Sequence, residues 1–233
     1  SVHATFLLLM AVLGWRTVST AGIRPALVEQ GLVIAIFACV ALHEVGHAAA
    51  ALRFKVPING ITLYPFGGVA HMAERPPHGR VEIAIAAAGP AVNLAIAAML
   101  ALLSAGSVLS PDGTAPQRLL SVVFFANLIL AGFNLIPAFP LDGGRMLRGW
   151  LATRIGWVRA TVWAASIGQV AAVSLLVIGV VENVWLVLAG LLILPAANAE
   201  LRYALAVRQF ADRTVGDLAR ADLFTIDGAV TLS

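Results

Sequence analysis

The chain has 233 residues, of which 60% are hydrophobic and only 12% charged, with a mean hydropathy of +0.92. A soluble domain carries roughly 25% charged residues, so a water-facing globule is excluded, as are disorder, coiled coil and collagen; a polytopic membrane protein remains. The sequence pI of 9.7 does not point to nucleic acid, because the net charge is only +3 and the basic residues are scattered between apolar runs.

Those runs occupy residues 2–18, 31–52, 83–109, 119–136, 158–181 and 184–206. A helix crosses the hydrocarbon in about 20 residues. The predicted fold is therefore all-α, with about six transmembrane helices in a lipid bilayer, the first of them cut short by Arg16. Placing the N-terminus in the cytoplasm puts twelve of the fifteen basic residues inside and leaves Arg16, Arg24 and Arg118 outside. That asymmetry obeys the positive-inside rule and predicts a multi-pass cell-membrane protein with both termini cytoplasmic. The single cysteine, Cys39, allows no intrachain disulfide and reads as a small buried hydrophobe.

Two connections are not plain loops. Residues 56–72, VPINGITLYPFGGVAHM, alternate β-branched residues around Asn59-Gly60, which predicts a membrane-associated β-hairpin between spans two and three. Such backbone lies at membrane depth only against protein or in a wet cavity. Residues 134–145, NLIPAFPLDGGR, break the fourth helix at Pro137 and Pro140, and Gly143 and Gly144 are expected to give a flexible turn. In the last run Pro195, Asn198 and Glu200 read as a kinked helix end, or as a flexible gate. Beyond Arg208 the chain turns polar, so residues 1–208 form the membrane domain and 209–233 open a further cytoplasmic one.

Within the second run stands His43-Glu44-Val45-Gly46-His47. Residues four apart share a helix face, so the two imidazoles can bind one metal ion, and Glu44 can take a proton from a water beside it. Ionisable groups are costly at a span centre, about 2.5–3.5 kcal/mol each on insertion scales, so three together mark function. A catalytic zinc has three protein ligands. Asp142, an acid in an apolar setting at a helix break, is the expected third. Histidines His3, His71 and His78 read as surface or interface residues.

HEVGH, followed about 90 residues later by the stretch Asn134 to Gly144, resembles the site-2 proteases, which are intramembrane zinc metalloproteases. Gly89-Pro90-Ala91-Val92-Asn93 and the Pro-Phe-Gly-Gly hairpin extend the likeness over nearly the whole chain. The resemblance implies one Zn2+ per chain on His43, His47 and Asp142, with Glu44 as general base and Asn134 hydrogen-bonding the substrate carbonyl or its oxyanion. Asn93 would support a ligand or pack two helices. The tail is similar to the start of the cystathionine-β-synthase-type regulatory pair of one branch, which implies an adenine nucleotide there. The implied substrates are single-span membrane proteins, such as anti-sigma factors, cut by regulated intramembrane proteolysis. The strand edge at Ile58, Asn59, Gly60, Ile61, Thr62 and Leu63 is expected to hold the unwound substrate by strand addition. Metal or proton transport is the competing use of buried His and Asp. Acidic residues do not recur along several spans, and Glu44 at the base position argues against both a transporter and an inactive scaffold.

Overall fold

In the computed structural model, which describes residues 4–64, 67–72, 78–104 and 114–210, the chain begins with α1 (Ala4–Ala21) and α2 (Ile23–Arg53). The ribbon β1 (Ile58–Tyr64) and β2 (Gly67–Met72) comes next. It is followed by α3 (Gly79–Leu103), α4 (Ala115–Asn134), α5 (Asp142–Ile155), α6 (Trp157–Glu182) and α7 (Val184–Phe210). Five of these helices, α2, α3, α4, α6 and α7, are long and apolar enough to cross a membrane; the apolar part of α1, Leu7–Ala21, is shorter. The six expected spans thus stand at five by length, with α1 as a short sixth element. Leu102, Val180 and Val181 keep 80%, 79% and 81% of their surface, an outward apolar face that only a lipid surrounding makes favourable.

Local chemistry sets the helix ends. Pro25 sits in the first turn of α2, where its missing N–H costs nothing. Thr114 and Gln117 form a capping box that starts α4, with Thr114 N–H donating to Gln117 Oε1 over 2.6 Å. At its other end α4 stops at Asn134, where the Pro137–Pro140 turn begins.

α3 is the hub: it packs against α2, α4 and α5, while α6 bridges α5 to α7 and α1 lies on α2. Small residues permit the close approaches, as expected where spans lack a hydrophobic drive to associate. A Cβ added at Gly79 would lie 2.1 Å from the Gly149 carbonyl oxygen, so the α3 and α5 backbones touch there.

Two sequence expectations need correction. Gly143 and Gly144 are not a flexible turn but the buried first turn of α5. A Cβ on Gly143 would lie 2.3 Å from the carbonyl oxygens of Leu135 and Ile136, and one on Gly144 would lie 2.5 Å from Ala138 C and Phe139 N. Tertiary crowding, not conformational freedom, selects glycine there. Asn59-Gly60 is not the reversal of the ribbon either. Both residues lie inside β1, at a register shift between Ile58 and Gly60, and the strands pair antiparallel as far as Tyr64 opposite Gly67. The bulge absorbs the extra residue that local turn chemistry favours. Ile58 packs on the cluster of Ala51, Val56 and Ile85, which anchors the base of the ribbon to α2 and α3. The tail expectation for residues 211–233 and the placement of His3 fall outside the described residues.

Candidate metal centre

α2 has 31 residues, about 46 Å at 1.5 Å per residue, and its histidines lie about 12 Å from its C-terminal end. His43 and His47 are 6% and 3% exposed, and Glu44 between them is 8% exposed. The two rings stand edge to face, with centroids 4.7 Å apart. Asp142, the first residue of α5, brings its carboxylate to the same point. Its Oδ2 is 3.2 Å from His43 Nε2 and 3.1 Å from His47 Nε2, and the two Nε2 atoms are 3.0 Å apart. The three groups could hold one metal ion.

The rest of the hydrogen bonding fixes what those atoms present. A carbonyl can only accept, so His47 Nδ1 must donate to Ile85 O, at 2.7 Å. The same logic runs along a buried amide chain. Asn127 Nδ2 donates to Val123 O, which turns Asn127 Oδ1 to accept from Asn93 Nδ2 at 2.7 Å. Asn93 Oδ1 is then left to accept from His43 Nδ1 at 2.5 Å. With both Nδ1 atoms committed as donors, each neutral imidazole turns an Nε2 lone pair to the common point. Two such lone pairs and a carboxylate oxygen within 3.2 Å repel one another unless a cation lies among them. Ligands of a tetrahedral zinc lie about 3.3–3.5 Å apart, so the triangle needs only slight expansion.

Burial disfavours the ionised Asp142 carboxyl, and the Arg145 guanidinium beside it favours the ionised form. Arg145 Nη1 lies 3.5 Å from Asp142 Oδ1, and the α5 dipole favours an anion at this end. Glu44 interacts electrostatically with both imidazoles and with Asp142.

α3 supplies the open space. A Cβ at Gly89 would lie 2.4 Å from His47 Nε2 and 2.6 Å from His43 Nε2, and one at Gly46 would lie 2.8 Å from Val92 Cγ2. The Gly89–Asn93 stretch therefore clears the centre and also braces it. Asn93 is wholly buried; it both contacts His43 and joins α3 to α4.

Asn134 is half-buried at the end of α4, and its Nδ2 donates back to Leu130 O at 3.0 Å. Ile58 belongs to the packed base of the ribbon, and Asn59 is exposed; the ribbon rests on α2 through both strands. Asn198 Oδ1 accepts from Gln169 Nε2 at 2.6 Å, which ties α7 to α6 near Pro195. His78 is exposed at the start of α3. Asn127 was missed from the sequence, although an amide inside an apolar run is itself a signal. The Ile85 carbonyl, a backbone group, left no signal at all.

The family model of peptidase family M50 matches residues 31–112 and 112–178, a span that holds HEVGH, Asn93, Asn127 and Asp142. The chain is 38% identical to the zinc metalloprotease MJ0392 of Methanocaldococcus jannaschii over 202 residues, which is 86% of this chain and 57% of that protein. It is 32% identical to Rip3 of Mycobacterium tuberculosis over 252 aligned positions, covering 100% of this chain and 63% of the other. The chain thus spans about three-fifths of the length of these curated relatives. The solved structure of the site-2 protease from M. jannaschii superposes with a TM-score of 0.65 at 36% identity, covering 86% of this chain and 89% of that one. By the length of the family match and by these identities, the chain is a member of peptidase family M50.

Proposed function

We propose that this chain is a zinc-dependent intramembrane endopeptidase that hydrolyses peptide bonds in or near the transmembrane segments of membrane-tethered proteins. Single-span regulators such as anti-sigma factors fit as substrates. The carrying observation is the convergence of two Nε2 lone pairs and one carboxylate oxygen within 3.2 Å, beside the buried Glu44. In this reading His43, His47 and Asp142 hold the ion. Zinc so held supplies a Lewis acid for the scissile carbonyl and lowers the pKa of a water. Glu44 takes a proton from the attacking water and gives it to the leaving amine as the carbon–nitrogen bond breaks. Asn134, once its amide leaves the Leu130 carbonyl, donates to the developing oxyanion. Asn93 and the Ile85 carbonyl hold the two imidazoles in the ligating tautomer.

A substrate helix pairs all its own amides, so it must unwind before a carbonyl reaches the centre. The edge of β1 from Ile58 to Leu63 offers an unwound segment backbone partners. The ribbon's anchorage beside Ile85, whose carbonyl braces His47, supports this placement. The positive-inside count puts this end of α2 on the cytoplasmic side of the cell membrane.

The test reconstitutes the purified chain with a transmembrane peptide and compares it with Glu44→Gln, measuring zinc in both. The expected result is zinc in both proteins and cleavage by the parent alone. Cleavage by Glu44→Gln at the parent rate would falsify the assignment.

A further inference from the structure

A second buried charged group lies outside the centre. Arg148 is on α5, six residues beyond Asp142, and its side chain keeps 11% of its surface. Its Nε donates to Glu82 Oε1 at 2.7 Å, its Nη2 donates to the same oxygen, and its Nη1 donates to Glu200 Oε2 at 3.2 Å. The guanidinium carbon lies 4.7 Å from the ring centre of Phe139 and 5.2 Å from that of Trp157. Glu82 is 3% exposed on α3 and Phe139 1% exposed in the turn that enters α5; Trp157 opens α6 and Glu200 is on α7.

One side chain therefore gathers α3, α5, α6, α7 and the Pro turn. Its partners are graded. The Glu82 side chain is 4% exposed, whereas that of Glu200 is 38% exposed, so the first pair is the strong one and the second is screened by solvent. The site requires such a clamp. Two ligands come from α2 and their supports from α3, but the third ligand arrives on α5, a separate helix. The distance from Asp142 to the histidines depends on the seat of α5, whose first turn packs on the turn after α4 and whose body packs on α3. Two features next to each other hold α5 on α3: the backbone contact between Gly79 and Gly149, and the Arg148–Glu82 pair beside it. Glu82 lies on the same helix as Ile85, whose carbonyl holds His47. A buried ion pair is weak evidence for stability but well suited to setting register.

We propose that Arg148 is a positioning residue of the metal centre: through Glu82 it sets α5, and with it Asp142, against the histidines, and Glu200 is its peripheral arm. This rests on the reading of Asp142 as a metal ligand. The test measures zinc dissociation constants by chelator competition and the visible spectrum of the cobalt-loaded chain, alongside thermal unfolding of the metal-free protein. The variants are Arg148→Gln, Arg148→Lys, Glu82→Gln, the double Arg148→Gln/Glu82→Gln, Glu200→Gln and Asp142→Asn. The double variant leaves no unpaired buried charge, so it reports even if a single variant fails to fold. Expected is a ten- to hundredfold weaker zinc affinity in Arg148→Gln, Glu82→Gln and the double variant, the range for groups that orient ligands. Their cobalt spectra should be altered, Arg148→Lys should recover part of the affinity, and Glu200→Gln should change it less than threefold. Parent affinity and parent cobalt spectrum in the folded double variant, with zinc lost in Asp142→Asn, overturns the positioning role alone. Parent affinity in Asp142→Asn overturns the ligand reading, and the positioning role with it.

Discussion

Replacing Gly89 with alanine should cost the chain its metal more than its fold. The added Cβ would sit 2.4 Å from His47 Nε2, 2.5 Å from His47 Cε1 and 2.6 Å from His43 Nε2, about 1 Å inside ordinary contact. Relief has two routes, and both strike the centre. Turning the imidazoles breaks their Nδ1 bonds to Asn93 and to the Ile85 carbonyl. Moving α3 away carries those same partners with it, because Gly89, Asn93 and Ile85 share that helix. Overpacking of this kind costs about 1–3 kcal/mol, which becomes roughly a 5- to 150-fold loss of zinc affinity if it falls on the metal-bound state. Chelator competition on the purified chain reads that loss, and thermal unfolding of the metal-free protein separates it from general damage. Zinc affinity within twofold of the parent would show that the lone pairs do not converge where Gly89 leaves room.

Three further outcomes follow from the site. Asn93→Ala should weaken zinc ten- to hundredfold by freeing the His43 tautomer, with Asn127→Ala weaker in effect because it acts through Asn93; equal effects of the two on zinc would break that order. Asn134→Ala should lower kcat by about 10²–10³ with zinc retained, whereas an unchanged kcat confines Asn134 to its bond with the Leu130 carbonyl. Proline at Ile61 or Thr62, which removes a backbone donor from β1, should cut turnover of a transmembrane peptide while zinc stays bound. Unaltered turnover sinks the strand-addition role of the ribbon.

What the sequence made legible follows the range of the interactions concerned. HEVGH is a local pattern on one helix face, and the apolar runs give the long helices to within a few residues at most ends. Asp142 was accessible because an acid beside prolines and glycines in an apolar setting has few ordinary uses. α5 was not visible: residues 142–155 hold three arginines and three glycines, and a glycine pair reads as a turn until its packing against Leu135, Ile136 and Ala138 is known. Asn59-Gly60 misled in the same way, as a strong local turn signal that the pairing register overrides. Glu82 and Arg148 lie 66 residues apart in sequence, and charge counting recorded Arg148 only as a topological cation. Pairings across that distance leave no periodic trace.

X-ray absorption at the zinc edge of the purified chain addresses the centre most directly. One zinc per chain is expected, with two imidazole nitrogens and oxygen ligands in a four-coordinate shell. One imidazole should be lost in His47→Ala and one oxygen ligand in Asp142→Asn. A parent chain that binds no zinc, or a zinc shell unchanged by both substitutions, would contradict the centre described above.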